Sequence, residues 1–255
     1  MLSLRRCLLW SAVLVALAAC TPTTLIKLDN EWAQTYRAKI DSQSAPDYLA
    51  TISNYDDQLA DLSTRAAAAG DKAFGKDASM AVGFYRVAAL SAWKSGDRHE
   101  NEVPTISEKG RAACEKLPQH AASQPRDCAV LMIVDYLALY DRVAREITAM
   151  KSRAQLTANR QIPADQWDAS KKLLGSGASA LAGVVKAKQE TAALPLPAEY
   201  FGYVARNVKD MYCSLEGFGD LLSQSATAPV MHDAVIHELQ SLDQRLAQTE
   251  GSIIC

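Results

Sequence analysis

Residues 129–147 read AVLMIVDYLALYDRVAREI, and the apolar positions in this stretch decide the fold. Val130, Ile133, Leu137, Tyr140, Ala144 and Ile147 recur at alternating spacings of three and four, so on a helix of about 3.6 residues per turn they make one continuous stripe. Such a stripe needs partner surfaces, and the chain supplies them. Val204, Val208, Met211, Leu215, Phe218 and Leu222 form a second stripe, and Val235, Leu239, Leu242 and Leu246 a third. Upstream, residues 78–94 carry Met80, Val82, Phe84, Tyr85, Val87, Leu90 and Trp93, interrupted by Arg86. A helix with so little polar surface belongs at the centre of a domain. No run alternates apolar and polar residues between turn signals, as a half-buried strand would.

Working outward, turn residues divide the chain into helices. Asp47 is a cap for a helix reaching Ala69, with Gly70 as its stop. Ser95-Gly96-Asp97 ends the apolar helix, and Pro104 is placed to begin another that runs to Lys116. Leu117–Pro125 is a loop, and the helix of the opening stretch runs on to about Ala158. Ile162-Pro163-Ala164-Asp165 restarts the chain, and Gly175-Ser176-Gly177 weakens the next helix near its middle. Leu194-Pro195-Leu196-Pro197 is extended, because residues before proline avoid the helical region. A last helix spans about Pro229 to Thr249. The expectation is an all-α protein: an antiparallel helical bundle or a degenerate helical-repeat array of about seven helices. Residues 47–255 are expected to form one continuous domain, with the loop near Asn159–Pro163 as the best place for a subdomain boundary.

The amino terminus carries a different signal. Arg5 and Arg6 precede an apolar run from Leu8 to Val15, closed by Leu17-Ala18-Ala19-Cys20. This is the three-part form of a secretory leader. Its apolar core is about a dozen residues long, short of the roughly 20 that cross a bilayer. The closing tetrad resembles the lipobox of bacterial lipoproteins. That resemblance implies cleavage before Cys20, a diacylglyceryl group on its sulfur and acylation of the freed amine. Several acyl chains anchor stably, at about 0.8 kcal/mol per buried CH₂, where one is marginal. Thr21 follows the cysteine; an Asp there is what the family uses for inner-membrane retention, so an outer-membrane lipoprotein facing the periplasm is implied. On this reading residues 1–19 are a signal peptide and 20–46 a lipidated tether, with one short helix near Leu28–Ile40 that puts Trp32 and Tyr36 on one side.

Composition is consistent with export. The leader holds two arginines and no acid, so its removal takes the net charge from −2 to −4. That balance lacks the basic stripe of a nucleic-acid binder. Without Cys7 and the lipidated Cys20, four cysteines remain: Cys114, Cys128, Cys213 and Cys255. An even number in an oxidising compartment reads as two disulfides. Pairing near neighbours gives Cys114–Cys128, closing about 15 residues, and Cys213–Cys255, closing about 43, worth roughly 3 and 4 kcal/mol in the chain-entropy model. No C-x-x-C or H-x-x-x-H spacing supports zinc.

Tyr85–Pro118 resembles part of a tetratricopeptide repeat, with Ala88, Ala89 and Ala92 on a first helix, Gly96 after it, and Ala113 and Pro118 at the spacing of the second. It departs from that family in a longer loop after Gly96, in Gly110 where an aromatic is usual, and in having no second copy.

No catalytic constellation emerges. Asp57 and Asp61 share a helix face that reads as solvated, His232 and His237 sit five apart and diverge on a helix, and His99 and His120 lie in polar loops. There is no G-x-S-x-G elbow and no glycine-rich phosphate loop. No cofactor, metal or enzyme activity is expected. Tyr200, Phe201 and Tyr203 follow the proline-rich segment and offer either an aromatic anchor for a partner or a staple for a helix start. Tyr136 and Tyr140 read as core edge. The expected role is a lipid-anchored periplasmic interaction or scaffold protein with an envelope protein as partner; the alternative is a small-ligand or cell-wall-binding lipoprotein.

Overall fold

The computed structural model describes residues 23–44, 47–118, 124–157, 159–190, 198–248, 250, 253 and 255; for residues 48–50, 97, 124–125, 190 and 198–207 it describes the backbone alone. These residues form eight α-helices and four short 3₁₀ turns, with no strand among them. The protein is all-α. Its helices are α1 (Thr23–Asp41), α2 (Tyr48–Phe74), α3 (Ala78–Lys94), α4 (Val103–Cys114), α5 (Gln124–Gln155), α6 (Trp167–Glu190), α7 (Ala198–Gln224) and α8 (Pro229–Ala247). The chain divides into two compact units, Met1–Gln124 and Pro125–Cys255.

In the first unit α3 is the centre, as its apolar circumference requires: residues 81–93 are buried apart from Arg86. Helices α1, α2 and α4 all pack on it. Small residues let α2 and α3 approach closely, and Ser63 donates to the Ala88 carbonyl at 2.9 Å. Gly70 meets the Tyr85 ring, where a Cβ would come within 2.7 Å of the ring edge. Gly70 therefore does not stop α2, which runs through it to Phe74. The backbone there stays helical because the aromatic of α3 fills the space a side chain would need. Pairings 63 with 88 and 70 with 85 make α2 and α3 antiparallel.

Residues 23–41 are not a spacer. They form a helix that buries Leu28 and Trp32 on the unit, stacks Trp32 on Tyr36 at 5.5 Å between centroids, and sets Leu25 against Gly83. Arg86 pairs with Asp29 at 2.8 Å, which explains the one charge in the apolar helix. The end of α3 is closed by Gly96 in the left-handed region (φ 67°) and by the Lys39 ammonium, which donates to the Lys94 carbonyl at 2.7 Å and pairs with Asp56.

Asp71, late in α2, accepts from the Tyr85 hydroxyl at 2.8 Å and pairs with Lys109 at 2.9 Å. The lysine and tyrosine hydrogen bonds hold its carboxyl below the ordinary carboxylate value. Its stabilisation is therefore complete above the unfolded pKa, near 3.9, and disappears as pH falls through the lower folded value. Half of the side chain stays exposed, 51%, so the effect is expected to be under about 1 kcal/mol. Asp71→Asn should flatten the fall in stability below about pH 4, as urea midpoints measured from pH 6 to pH 2.5 would show; an unchanged slope would deny Asp71 this part.

The second unit is a four-helix bundle of up-down-up-down order. Its directions follow from contacts: 136 with 183 and 143 with 177 between α5 and α6, 167 with 222 and 177 with 215 between α6 and α7, and 212 with 243 and 219 with 239 between α7 and α8. Buried along α5 are Val130, Ile133, Leu137, Tyr140, Val143 and Ile147. Val143 takes the place that the stripe assigned to Ala144, so the observed spacings run 3, 4, 3, 3, 4 and the strict alternation gives way at this turn. Tyr140 donates to the Met211 carbonyl at 3.1 Å from inside the core. Val208, Met211, Leu215, Phe218 and Leu222 of α7 are buried, as are Val235, Leu242 and Leu246 of α8.

Helix α6 passes unbroken through residues 175–177, because Gly177 is a packing site: a Cβ there would meet Leu215 at 2.5 Å and Val143 at 3.0 Å. Gly183 is tighter still, its missing Cβ falling 2.2 Å from the Tyr136 ring. Gly183→Ala gains about 1 kcal/mol of helix propensity. It also forces the tyrosine off its rotamer, and overpacking costs about 1–3 kcal/mol. The clash wins: a lowered urea midpoint is expected, and a raised one would contradict this packing.

The unit boundary falls at Gln124–Pro125, not at Asn159–Pro163. The later loop is tied into the second unit, with Gln161 Nε2 donating to the Gln224 carbonyl at 3.0 Å and the Ile162 amide to Ser225 Oγ at 2.9 Å. The single domain expected over residues 47–255 is thus two units.

Candidate functional site

The same loop builds one wall of a groove in the second unit, lined by Lys151, Ala154, Gln155, Arg160, Gly217 and Leu221, with a volume of about 530 Å³. Lys151, Ala154 and Gln155 lie at i, i+3 and i+4 on α5, so they share one face. Helix α5 ends at Gln155, and Thr157 makes the turn: its hydroxyl donates to the Ala154 carbonyl at 2.7 Å and accepts from the Gln161 amide at 3.0 Å. Arg160 sits at the apex with φ 52°, in the left-handed region that non-glycine residues rarely occupy. The opposite wall is α7, bare of side chain at Gly217. A Cβ there would stand 3.7 Å from Lys151 Nζ, which lies over this gap and donates to the Ser214 carbonyl at 3.3 Å.

The wall made by α5 and the loop is basic, while α7 carries Glu216 and Asp220 next to the lining residues Gly217 and Leu221. No Asp or Glu occurs between Glu146 and Asp165, whereas Lys151, Arg153 and Arg160 do. Among the described residues no carboxylate pairs with Lys151 or Arg160. Burial holds the Lys151 ammonium below the ordinary lysine range, the mark of a cation that has lost water without gaining an acid. Just outside, Leu156 is 88% exposed, the most exposed large apolar side chain described.

The residues singled out from sequence are scattered. Cys20 lies outside the described residues, and so do the side chains of Tyr200, Phe201 and Tyr203, whose backbone is in α7. Cys213 and Cys255 are bonded to each other, with Cα atoms 5.5 Å apart, and Cys114 and Cys128 are each in a disulfide. Asp57 pairs with Arg98 at 3.1 Å and Asp61 with Arg65 at 2.7 Å, both carboxylates mostly in water. Next to Asp57, Asp56 is the more buried carboxylate and is held by Lys39. His232 bonds the Ser223 hydroxyl, His99 pairs with Glu102 at 2.9 Å, and His120 is outside the described residues. Among the described residues no three His, Cys, Asp or Glu side chains gather to hold a metal. None of their helices is long and apolar enough to cross a membrane.

The groove escaped the sequence reading. Its signal was there as an acid-free basic stretch, but the stretch reads equally as the end of a helix, where cations complement the dipole. Compared with protein-family models, curated proteins and solved structures, the chain shows no match.

Proposed function

We propose that this chain is a lipid-anchored helical protein of the bacterial cell envelope, moored through Cys20 at the outer membrane, facing the periplasm and serving as an interaction or scaffold module. The observation that carries the reading is the Cys213–Cys255 disulfide, which suits an oxidising compartment and agrees with the leader before Cys20. The two units are built of helices, and helical surfaces are suited to holding partners. The test is Cys20→Ser in a bacterial host. The unaltered chain is expected in the membrane fraction, with an amino-terminal peptide carrying diacylglyceryl and acyl mass, and the variant outside it. An unmodified Cys20, or a variant that stays with the membrane, ends the anchoring. Envelopes crosslinked in the living cell should yield a stoichiometric partner, and none would count against the scaffold. The Lys151–Arg160 groove favours a second reading, a ligand-binding lipoprotein.

A further inference from the structure

We propose that the groove between the end of α5 and α7 is a binding site for a phosphate ester, with Lys151 and Arg160 as its two cationic ligands. The inference does not depend on the anchor at Cys20.

Three observations converge on it. Lys151 and Arg160 come from different elements, a helix face and a loop apex, and line one groove. A carboxylate is satisfied by one bidentate guanidinium, whereas a phosphate has oxygens for an ammonium and a guanidinium approaching from separate sides. Next, the ammonium is placed at some expense. It is partly buried over Gly217, where a Cβ would stand in ordinary contact at 3.7 Å, and among the described residues its hydrogen-bond partner is the Ser214 carbonyl. Last, Arg160 keeps a left-handed backbone that glycine would adopt freely, so something other than backbone preference keeps an arginine there. A volume of about 530 Å³ exceeds a bare phosphate and leaves room for an organic group against Ala154 and Leu221. Leu156 beside the groove adds an apolar projection suited to the acyl region under a lipid phosphate.

A phosphate ester could reach the groove as a phospholipid headgroup or as a soluble metabolite, and the experiment separates them. The chain from residue 20 onward is exported and oxidised with Cys20→Ser, so that no acyl chain contributes to binding. One arm titrates glycerol 3-phosphate by calorimetry. The other measures co-sedimentation with vesicles of phosphatidylglycerol and phosphatidylcholine against phosphatidylcholine alone. Saturable binding is expected in at least one arm: vesicles only assigns a lipid headgroup, and binding of glycerol 3-phosphate assigns a soluble ester. Lys151→Gln with Arg160→Gly should weaken it at least tenfold, and Arg153→Gln, on an exposed neighbouring cation, less than twofold. Arg160→Gly alone should melt no lower than the parent, since it relieves φ 52°, so its lost binding is not lost folding. No saturable binding in either arm, or equal weakening by Arg153→Gln, overturns the proposal.

Discussion

Trp167→Ala is expected to lower the unfolding free energy of the second unit by about 3–5 kcal/mol, the range for emptying a buried tryptophan site. Trp167 opens α6 and is 3% exposed, and its indole Nε1 donates to the Leu222 carbonyl at 3.1 Å. That carbonyl belongs to the last turn of α7, where it also accepts from the Ser225 amide at 3.1 Å. Alanine would leave a cavity and remove one of the two hydrogen bonds to that carbonyl, the lost bond adding about 0.5–1.5 kcal/mol. The effect should reach the groove, because the loop that carries Arg160 is tied to the same end of α7 through Gln224 and Ser225. Trp167→Phe keeps most of the volume and loses the hydrogen bond, so it should cost about 1–2 kcal/mol. Beyond the leader the other tryptophans are Trp32 and Trp93, both in the first unit, so the variant removes the second unit's own fluorophore. Circular dichroism in urea, with hydrogen exchange of α6 and α7, is the suitable measurement. A loss below about 1 kcal/mol would show that the site collapses around the gap or was never tightly packed.

What could be read in advance was whatever depends on spacing along one helix. The alternation through Val130, Ile133, Leu137, Tyr140 and Ile147 needs no partner to be recognised, and these residues are buried. The all-apolar run of 78–94 likewise announced a central helix, and Pro229 and Gly96 marked a start and a stop. Features set by a distant residue were not legible. Gly70 and Gly177 look like breakers until Tyr85 and Leu215 are seen against them. Residues 23–41 look like a polar tether, and only contact with Gly83, Arg86 and Asp56 makes them a packed helix. Asp57 and Asp61 were the visible pair, yet Asp56 meets Lys39, 17 residues away. The groove is the extreme case: Lys151 acquires its setting from Ser214, 63 positions along, and from an absent side chain at Gly217.

Cys213→Ala with Cys255→Ala should remove about 4 kcal/mol from the second unit, the chain-entropy value for a bridge between residues separated by 42 positions. Cys213 is half-buried on α7, whereas Cys255 lies exposed, eight residues beyond the end of α8. Among the described residues this tail is held by the bridge and by Glu250, which pairs with Lys188 of α6 at 2.8 Å. An ion pair with a fifth to a quarter of each side chain in water contributes at most about 1 kcal/mol. The covalent tie therefore dominates, and Lys188→Ala is expected to cost several-fold less than loss of the bridge. The comparison can be made in urea with Trp167 emission as the probe, since it is the one tryptophan in the second unit. Dithiothreitol should lower the midpoint of the parent's second unit by more than that of the double variant, in which only the bonding of Cys114 and Cys128 is left to reduce. If the double variant keeps the parent's stability there, the reduced chain already holds its tail against α7 and the bridge adds nothing. Were the loss near 4 kcal/mol, it would be a large fraction of the 5–15 kcal/mol that typically holds a domain together, and the chain would depend on oxidation to stay folded. A protein so dependent belongs where cysteines are oxidised, so this measurement bears on the proposed periplasmic home independently of Cys20.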